Sequence, residues 1–269
     1  MPASSFTLLP SLLVGIEVVR ADTARAFARH VHDQFGIGLI DRGAQKSASG
    51  RGMVEAGAGD LITVNPGEVH DGTPIGDHGR SWRMLYLDPE RVFELAADVT
   101  GRAVSREVEF TRPTLKDTRL ARRFEALFPA LIAAPTAAPS MQAESALLML
   151  LADLLSPRSS DAPIVAATIT PARARLDDDP ASEVDLATLA ADAGLSRFQF
   201  LRAFSRATGL TPHAYLIQRR LQRARTLIAN GLPLADAAAA AGFCDQSHLT
   251  RHFVRCFGLS PGAYAKSVR

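Results

Sequence analysis

The sequence predicts an α+β protein of two domains: a small N-terminal β-barrel or sandwich with helices behind it, then an all-α domain of two helix-turn-helix units joined by a long helix. Three observations lead there. The chain has 269 residues, enough for two domains of ordinary size. Its apolar pattern changes from short β-branched runs to a helical period near residue 113. Residues 183–269 contain an internal repeat.

Residues 1–112 read as β. The runs FGIGLID, GDLITVNPGEVHD and SWRMLYLDP are rich in strand formers and separated by Gly, Pro and Asp. Within the last, alternation aims Trp82, Met84 and Tyr86 to one face and Arg83 and Leu85 to the other. Residues 113–157 read as a helical segment. Leu120, Phe124, Leu127, Phe128 and Leu131 recur three or four apart, and SMQAESALLMLLADLL follows a Pro-bounded loop. Such a stripe serves either an intrachain core or a dimer seam. Residues 158–182, rich in Pro, Ser and Asp, read as an interdomain linker in which IVAATI forms at most a short ordered piece.

The repeat carries most of the functional argument. GLSRFQFLRAFSRATGLTPHAY (194–215) aligns with FCDQSHLTRHFVRCFGLSPGAY (243–264) at an offset of 49. Ser196 pairs with Asp245, Arg202 with Arg251, Phe204 with Phe253, Gly209 with Gly258 and Tyr215 with Tyr264. Each unit predicts a short helix, a glycine break (Gly194, Gly242), an N-cap (Ser196, Asp245) and a second helix with an apolar inner face. The predicted units span about 184–208 and 233–257. Arg197, Gln199, Arg202 and Arg206 are left outside in the first, and Gln246, Ser247, Thr250 and Arg251 in the second. Arginine pairs with guanine edges and glutamine with adenine edges, which suits a helix laid in the major groove. The connecting PHAYLIQRRLQRARTLIA predicts a rigid helix that sets two such helices into successive grooves.

Charge agrees. Residues 183–269 hold eleven Lys and Arg against five Asp and Glu, a net of +6, leaving residues 1–182 at −4. That asymmetry points to a polyanion partner for the C-terminal part alone.

The string GLPLADAAAAAGFCDQSHLTRHFVRCFGLSPGAYA resembles the C-terminal signature of the AraC/XylS family of bacterial transcription regulators, and GLSRFQFLRAFSRATGLTPHAYL matches it equally well. The resemblance implies double-stranded DNA as partner, with base contacts from Phe198, Gln199 and Arg202 and from Gln246, Ser247, Thr250 and Arg251. It also places Cys256 where the family often has a basic residue, implying a missing phosphate contact. The segment from His30 to Pro89 resembles the cupin ligand-binding domain of the same family, which implies a cupin-like barrel holding a small-molecule effector of unknown identity.

Candidate effector residues are His30, His32, His70, Arg51, Arg83 and Tyr86, the two arginines as partners for a carboxylate. His-x-His on one strand places both imidazoles on one face, and His70 follows a Pro-Gly turn. Such a trio suits zinc or iron. The acidic ligand expected shortly after His-x-His is absent, since Gly36 to Gly38 offers none, so structural or ligand-binding roles are preferred and substoichiometric metal is expected.

The reading is therefore a non-enzymatic, effector-controlled DNA-binding regulator, without cofactor and homodimeric. The alternatives are a cupin-type metalloenzyme with an appended DNA-binding domain and a constitutive architectural protein. No apolar run is long enough to span a membrane. Two cysteines build no disulfide framework, and the N-terminus lacks the basic start of a secretory signal, so the expected compartment is a reducing cytoplasm. A phosphate-cradling glycine loop and a GxSxG elbow are both missing from the sequence.

Overall fold

A strand with six consecutive buried residues must be covered on both sides, and Phe35–Arg42 is such a strand: Phe35 through Ile40 all lie inside. The computed structural model describes residues 5–76, 78–100, 108–132, 141–157 and 164–268. It divides into two units, Met1–Ser159 and Ser160–Arg269.

The first unit runs β1 (Ser5–Leu9), β2 (Ile16–Thr23), β3 (Phe27–His30), β4 (Phe35–Arg42), β5 (Ala44–Ser49), β6 (Gly52–Gly57), β7 (Leu61–Val64), β8 (His70–Pro74), β9 (Arg80–Leu87), α1 (Pro89–Thr100), β10 (Val108–Phe110), β11 (Thr114–Leu115), α2 (Thr118–Leu131), α3 (Met141–Leu154) and β12 (Leu155–Pro157). One antiparallel sheet has the order β1-β2-β9-β4-β7-β11, a second β3-β8-β5-β6, and β10 pairs with β12. The two larger sheets are not closed into one barrel; they form a cupin-like jelly roll.

Alternation divides the six-stranded sheet cleanly. Its outer face, with Val18, Phe35, Ile37, Leu39, Leu61, Leu85 and Leu87, shares one core with Val92 of α1, Phe124 and Phe128 of α2 and Leu147 and Leu151 of α3. The apolar stripe of α2 is thus consumed inside the chain rather than kept for a dimer seam. Truncating Phe124 there would cost ~3–5 kcal/mol. The inner face, with Ala21, Ile40, Val64, Trp82 and Met84, packs against Phe27 and Ala56 of the four-stranded sheet. Gly36 and Gly38 point inward because Met84 fills their space: a Cβ on either would lie 2.5 Å from its side chain.

Two readings need correction. Residues 1–112 are not purely β, for α1 follows β9 directly and buries Val92, Leu95 and Ala96 at helical spacing. Nor is 164–182, the described part of the 158–182 stretch expected as linker, mainly linker; 158–163 lie outside the described residues. The second unit opens with α4 (Ile164–Asp178), which buries Ile169, Ala172 and Leu176. Pro171 and the Asp run suggested a loop, yet the apolar face of this helix finds cover against its neighbours.

Those neighbours are α5 (Leu186–Asp192), α6 (Arg197–Thr208), α7 (Pro212–Ala229), α8 (Leu234–Ala240), α9 (Gln246–Phe257) and α10 (Pro261–Ser267). α4 packs on α5, α6 and α7. Its acidic C-terminus also engages the long helix: Arg219 lies 3.0 Å from Asp177, Arg223 3.3 Å from Asp179, and Tyr215 donates to Asp177 at 2.7 Å.

Candidate nucleic-acid interface and jelly-roll interior

The two predicted recognition helices are α6 and α9, and local chemistry explains both. Ser196 caps α6 by accepting from Gln199 N at 3.3 Å, and the Gln199 side chain accepts in return from Ser196 N at 3.0 Å. Asp245 caps α9 by accepting from His248 N at 2.6 Å. Each helix ends on a glycine in the left-handed region, Gly209 at φ 75° and Gly258 at φ 78°. The inner faces match as well. Phe200 and Phe204 are buried in α6, Leu249 and Phe253 in α9. Phe204 meets Tyr215 edge-on at 5.4 Å, and Phe253 meets Tyr264 at 5.7 Å, the same pair 49 residues on.

What remains outside is polar apart from Phe198, and free of carboxylates. Arg197, Phe198, Gln199, Arg202 and Arg206 are exposed on α6, with the Arg202 guanidinium 5.7 Å over the Phe198 ring. Gln246, Ser247 and Arg251 are exposed on α9, and Thr250 is half-buried with its hydroxyl donating to Gln246 O at 2.8 Å. Neither helix contains Asp or Glu. Arg255, also exposed, was missed by sequence reasoning, although the offset of 49 from Arg206 points to it. Cys256, expected to lack the phosphate contact that a basic residue would make there, lies inside the domain. Its side chain turns inward, burial pushes the thiol up to about 12, and it faces Gln218 at 3.5 Å.

In the first unit the structure gathers part of the predicted effector set. His30 ends β3 and pairs in register with His70, the first residue of β8. His32 does not share that strand, as sequence reasoning assumed. It lies beyond the end of β3, where its carbonyl accepts from Gly67 N at 2.8 Å. Ring centroids are 4.4 Å apart for His30 and His70, 5.0 Å for His30 and His32, and 5.1 Å for His32 and His70. The Tyr86 ring lies 4.8 Å from that of His32, tilted by 42°. Burial, with His70 adding to it, lowers His30 to about 3, and burial also lowers His70, so both rings are neutral near pH 7.

Arg51 and Arg83 lie elsewhere. Arg51 is near the β5–β6 turn, paired with Glu109 at 3.0 Å. Arg83 is on the outer sheet face, forked onto Asp41 at 2.7–3.1 Å and stacked 5.3 Å over Phe128. The arginine that enters the interior is Arg80, only 1% exposed. It donates to Gln45 Oε1 at 2.8 Å and to the carbonyls of Arg25 and Gly72 at 3.1 Å, and lies 4.8 Å over Trp82. Burial alone lowers it to about 10, and among the described residues no carboxylate pairs with it. Extending the Trp82, Met84, Tyr86 alternation by one step would have found it.

A pair of helix-turn-helix units following, along the chain, a two-sheet domain defines a DNA-binding regulator with a separate sensing domain. The AraC-like ligand binding domain family matches residues 13–152, and the helix-turn-helix domain family matches residues 189–267. The chain belongs to the AraC family of transcription regulators. It is 28% identical over 228 residues to the HTH-type transcriptional regulator YbfI of Bacillus subtilis, covering 83% of this chain and 81% of that one. It is 42% identical over 86 residues to the transcriptional activator NphR of Rhodococcus, covering 32% of this chain and 25% of NphR. Among solved structures, ToxT of Vibrio cholerae bound to an unsaturated fatty acid superposes with a TM-score of 0.57 at 12% identity, over 98% of this chain and 97% of ToxT. ToxT bound to a naphthalenyl-butenoic acid gives 0.56 at 12%, over 98% of this chain and 100% of ToxT. Among the described residues no helix is long and apolar enough to cross a membrane.

Proposed function

We propose that this regulator reads two successive major grooves through α6 and α9, and that a small anionic effector bound at Arg80 between the sheets of the jelly roll controls how often both engage. The observation that carries the DNA reading is the equivalence of the two helices: identically placed caps, a repeated inner Phe–Tyr pair (Phe204–Tyr215 and Phe253–Tyr264) and two acid-free outer faces around α7. That helix, 18 residues long, spans about 27 Å at 1.5 Å per residue. The base-reading set is Phe198 and Arg202 from α6 and Gln246, Ser247, Thr250 and Arg251 from α9. Arg197, Arg206 and Arg255 hold phosphates, and the Gln199 side chain is taken out of the predicted reading set by its bond to the Ser196 cap. Family membership supports a regulator rather than an enzyme. The chain works as a homodimer in the cytoplasm, and any seam on α2 and α3 uses their outward residues, such as exposed Met149.

For the effector, the carrying observation is Arg80, a buried cation held by neutral acceptors alone. Three of its five N–H groups are engaged, which leaves donors for a carboxylate. Both ligands in the ToxT structures are carboxylic acids, which supports that class. We assign His30, His32, His70 and Tyr86 to the same effector, because Phe27 touches both the His30 ring and the Arg80 guanidinium. An effector acts only through different affinity for the two states. The experiment is a promoter footprint with and without carboxylic acids first ranked by thermal shift. A hit should raise the melting temperature and change protection, and Arg80→Gln should abolish both while the unliganded footprint persists. Hits confined to uncharged compounds would refute the anionic class.

A further inference from the structure

The histidine cluster has features that an effector-lining role does not need. His30 Nδ1 lies 2.7 Å from the carbonyl of Ala28, and His70 Nδ1 lies 3.0 Å from the carbonyl of Glu68. A carbonyl oxygen only accepts, so each Nδ1 carries the proton and each Nε2 presents a lone pair. Metal-binding histidines are held in this way, one nitrogen donating to a backbone carbonyl while the other ligates. One potential ligand nitrogen from each of His30, His32 and His70 lies within 4.8 Å of the other two. A tetrahedral ion with nitrogens at 2.0–2.1 Å spaces them about 3.3 Å apart, so closure draws the rings in by roughly an ångström.

The neighbouring carboxylates are committed elsewhere. Glu68 accepts from Gly50 N, Asn65 N and Asn65 Nδ2 at 3.0–3.2 Å. Asp71 accepts from Ala48 N at 2.6 Å and faces Arg29 at 3.8 Å. The donor set is therefore three imidazoles, which suits zinc, cobalt or ferrous iron and not calcium or magnesium.

We propose that His30, His32 and His70 together bind one divalent transition-metal ion per chain, with a fourth position open to water or an anion. The three side chains come from the end of β3, the segment after it and the start of β8, so the ion also ties the edge of the four-stranded sheet to the loop carrying Pro66 and Gly67. This reverses the expectation drawn from the missing acidic ligand: three protein ligands and an exogenous fourth form a complete open site. The proposal stands or falls separately from the effector reading, because it concerns occupancy by an ion alone.

The test strips the full-length chain with chelator and titrates it with Zn²⁺ and with Co²⁺. One ion should bind per chain, cobalt should give the visible absorption of a tetrahedral nitrogen-rich site, and X-ray absorption of the zinc form should report three nitrogens at about 2.0–2.1 Å. His70→Gln and His32→Gln should each weaken binding on the order of a hundredfold with circular dichroism unchanged. His252→Gln, on α9, should leave affinity and stoichiometry as they were. No stoichiometric binding by the stripped chain would overturn the proposal, as would undiminished affinity in both cluster variants. Should those variants fail to fold, the absorption measurement on the natural sequence decides, and fewer than three nitrogen ligands refutes the site.

Discussion

The two helix-turn-helix units share a scaffold and differ in what they show to the outside. In α6 the N-cap is a serine, and Gln199 three residues on returns its hydrogen bond. In α9 the cap is Asp245, and the residue three on is His248, whose backbone alone takes part. The first unit thus commits its exposed glutamine to holding the helix start and displays Phe198, 67% exposed, beside three arginines. The second presents Gln246 and Ser247 in the first turn, where a recognition helix meets base edges. The difference teaches that a duplicated fold need not duplicate readout. We read the first unit as the apolar and electrostatic grip and the second as the hydrogen-bonding reader.

The largest expected effect tests the shared scaffold. Phe204→Ala and Phe253→Ala each remove a fully buried ring at equivalent positions, and each should cost ~3–5 kcal/mol by chemical denaturation of the full chain. Costs differing by more than about 2 kcal/mol would mean that the repeat is geometric without being energetic. Next come the outer faces. Arg202→Ala and Arg251→Ala should each weaken binding about ten- to a hundredfold and relax specificity at positions about one helical turn apart. Footprints that lose the same base pairs in both variants would end the two-groove reading. The smallest effect sharpens the contrast itself. Gln199→Ala should lower stability by roughly 0.5–1 kcal/mol through the cap, with Gln199→Glu restoring it and Gln199→Ala leaving base preference intact. A change in preference without loss of stability would return Gln199 to the reading set.

Much of this was legible in the sequence because caps, glycine breaks and apolar spacing are local. Ser196, Gly209, Phe204 and their partners 49 residues on dictate their helices with little outside help. The inner and outer faces of β9 followed from alternation for the same reason. Elements whose stability comes from distant partners were not legible. α4 carries a proline and ends in an Asp run, and only the packing of Ile169, Ala172 and Leu176 makes it a helix. α1 was hidden inside a β-rich stretch although Val92, Leu95 and Ala96 had the right spacing. At the sites, Arg83 and Arg51 were chosen for charge alone, and their acidic partners Asp41 and Glu109 lie 42 and 58 positions away in the chain. The three histidines do lie together, but not through the shared strand that suggested them, which His32 does not occupy.

The helix that opens the second unit bears on how the DNA-reading half is handled in isolation. A fragment begun at Glu183, where the repeat first becomes visible, discards the cover over the first helix pair along with the carboxylates that hold Arg219 and Arg223. Such a piece would present bare apolar surface and two newly released cations, so it should clump and cling to any polyanion regardless of sequence. Begun at Ser160, the same half keeps its brace and its discrimination.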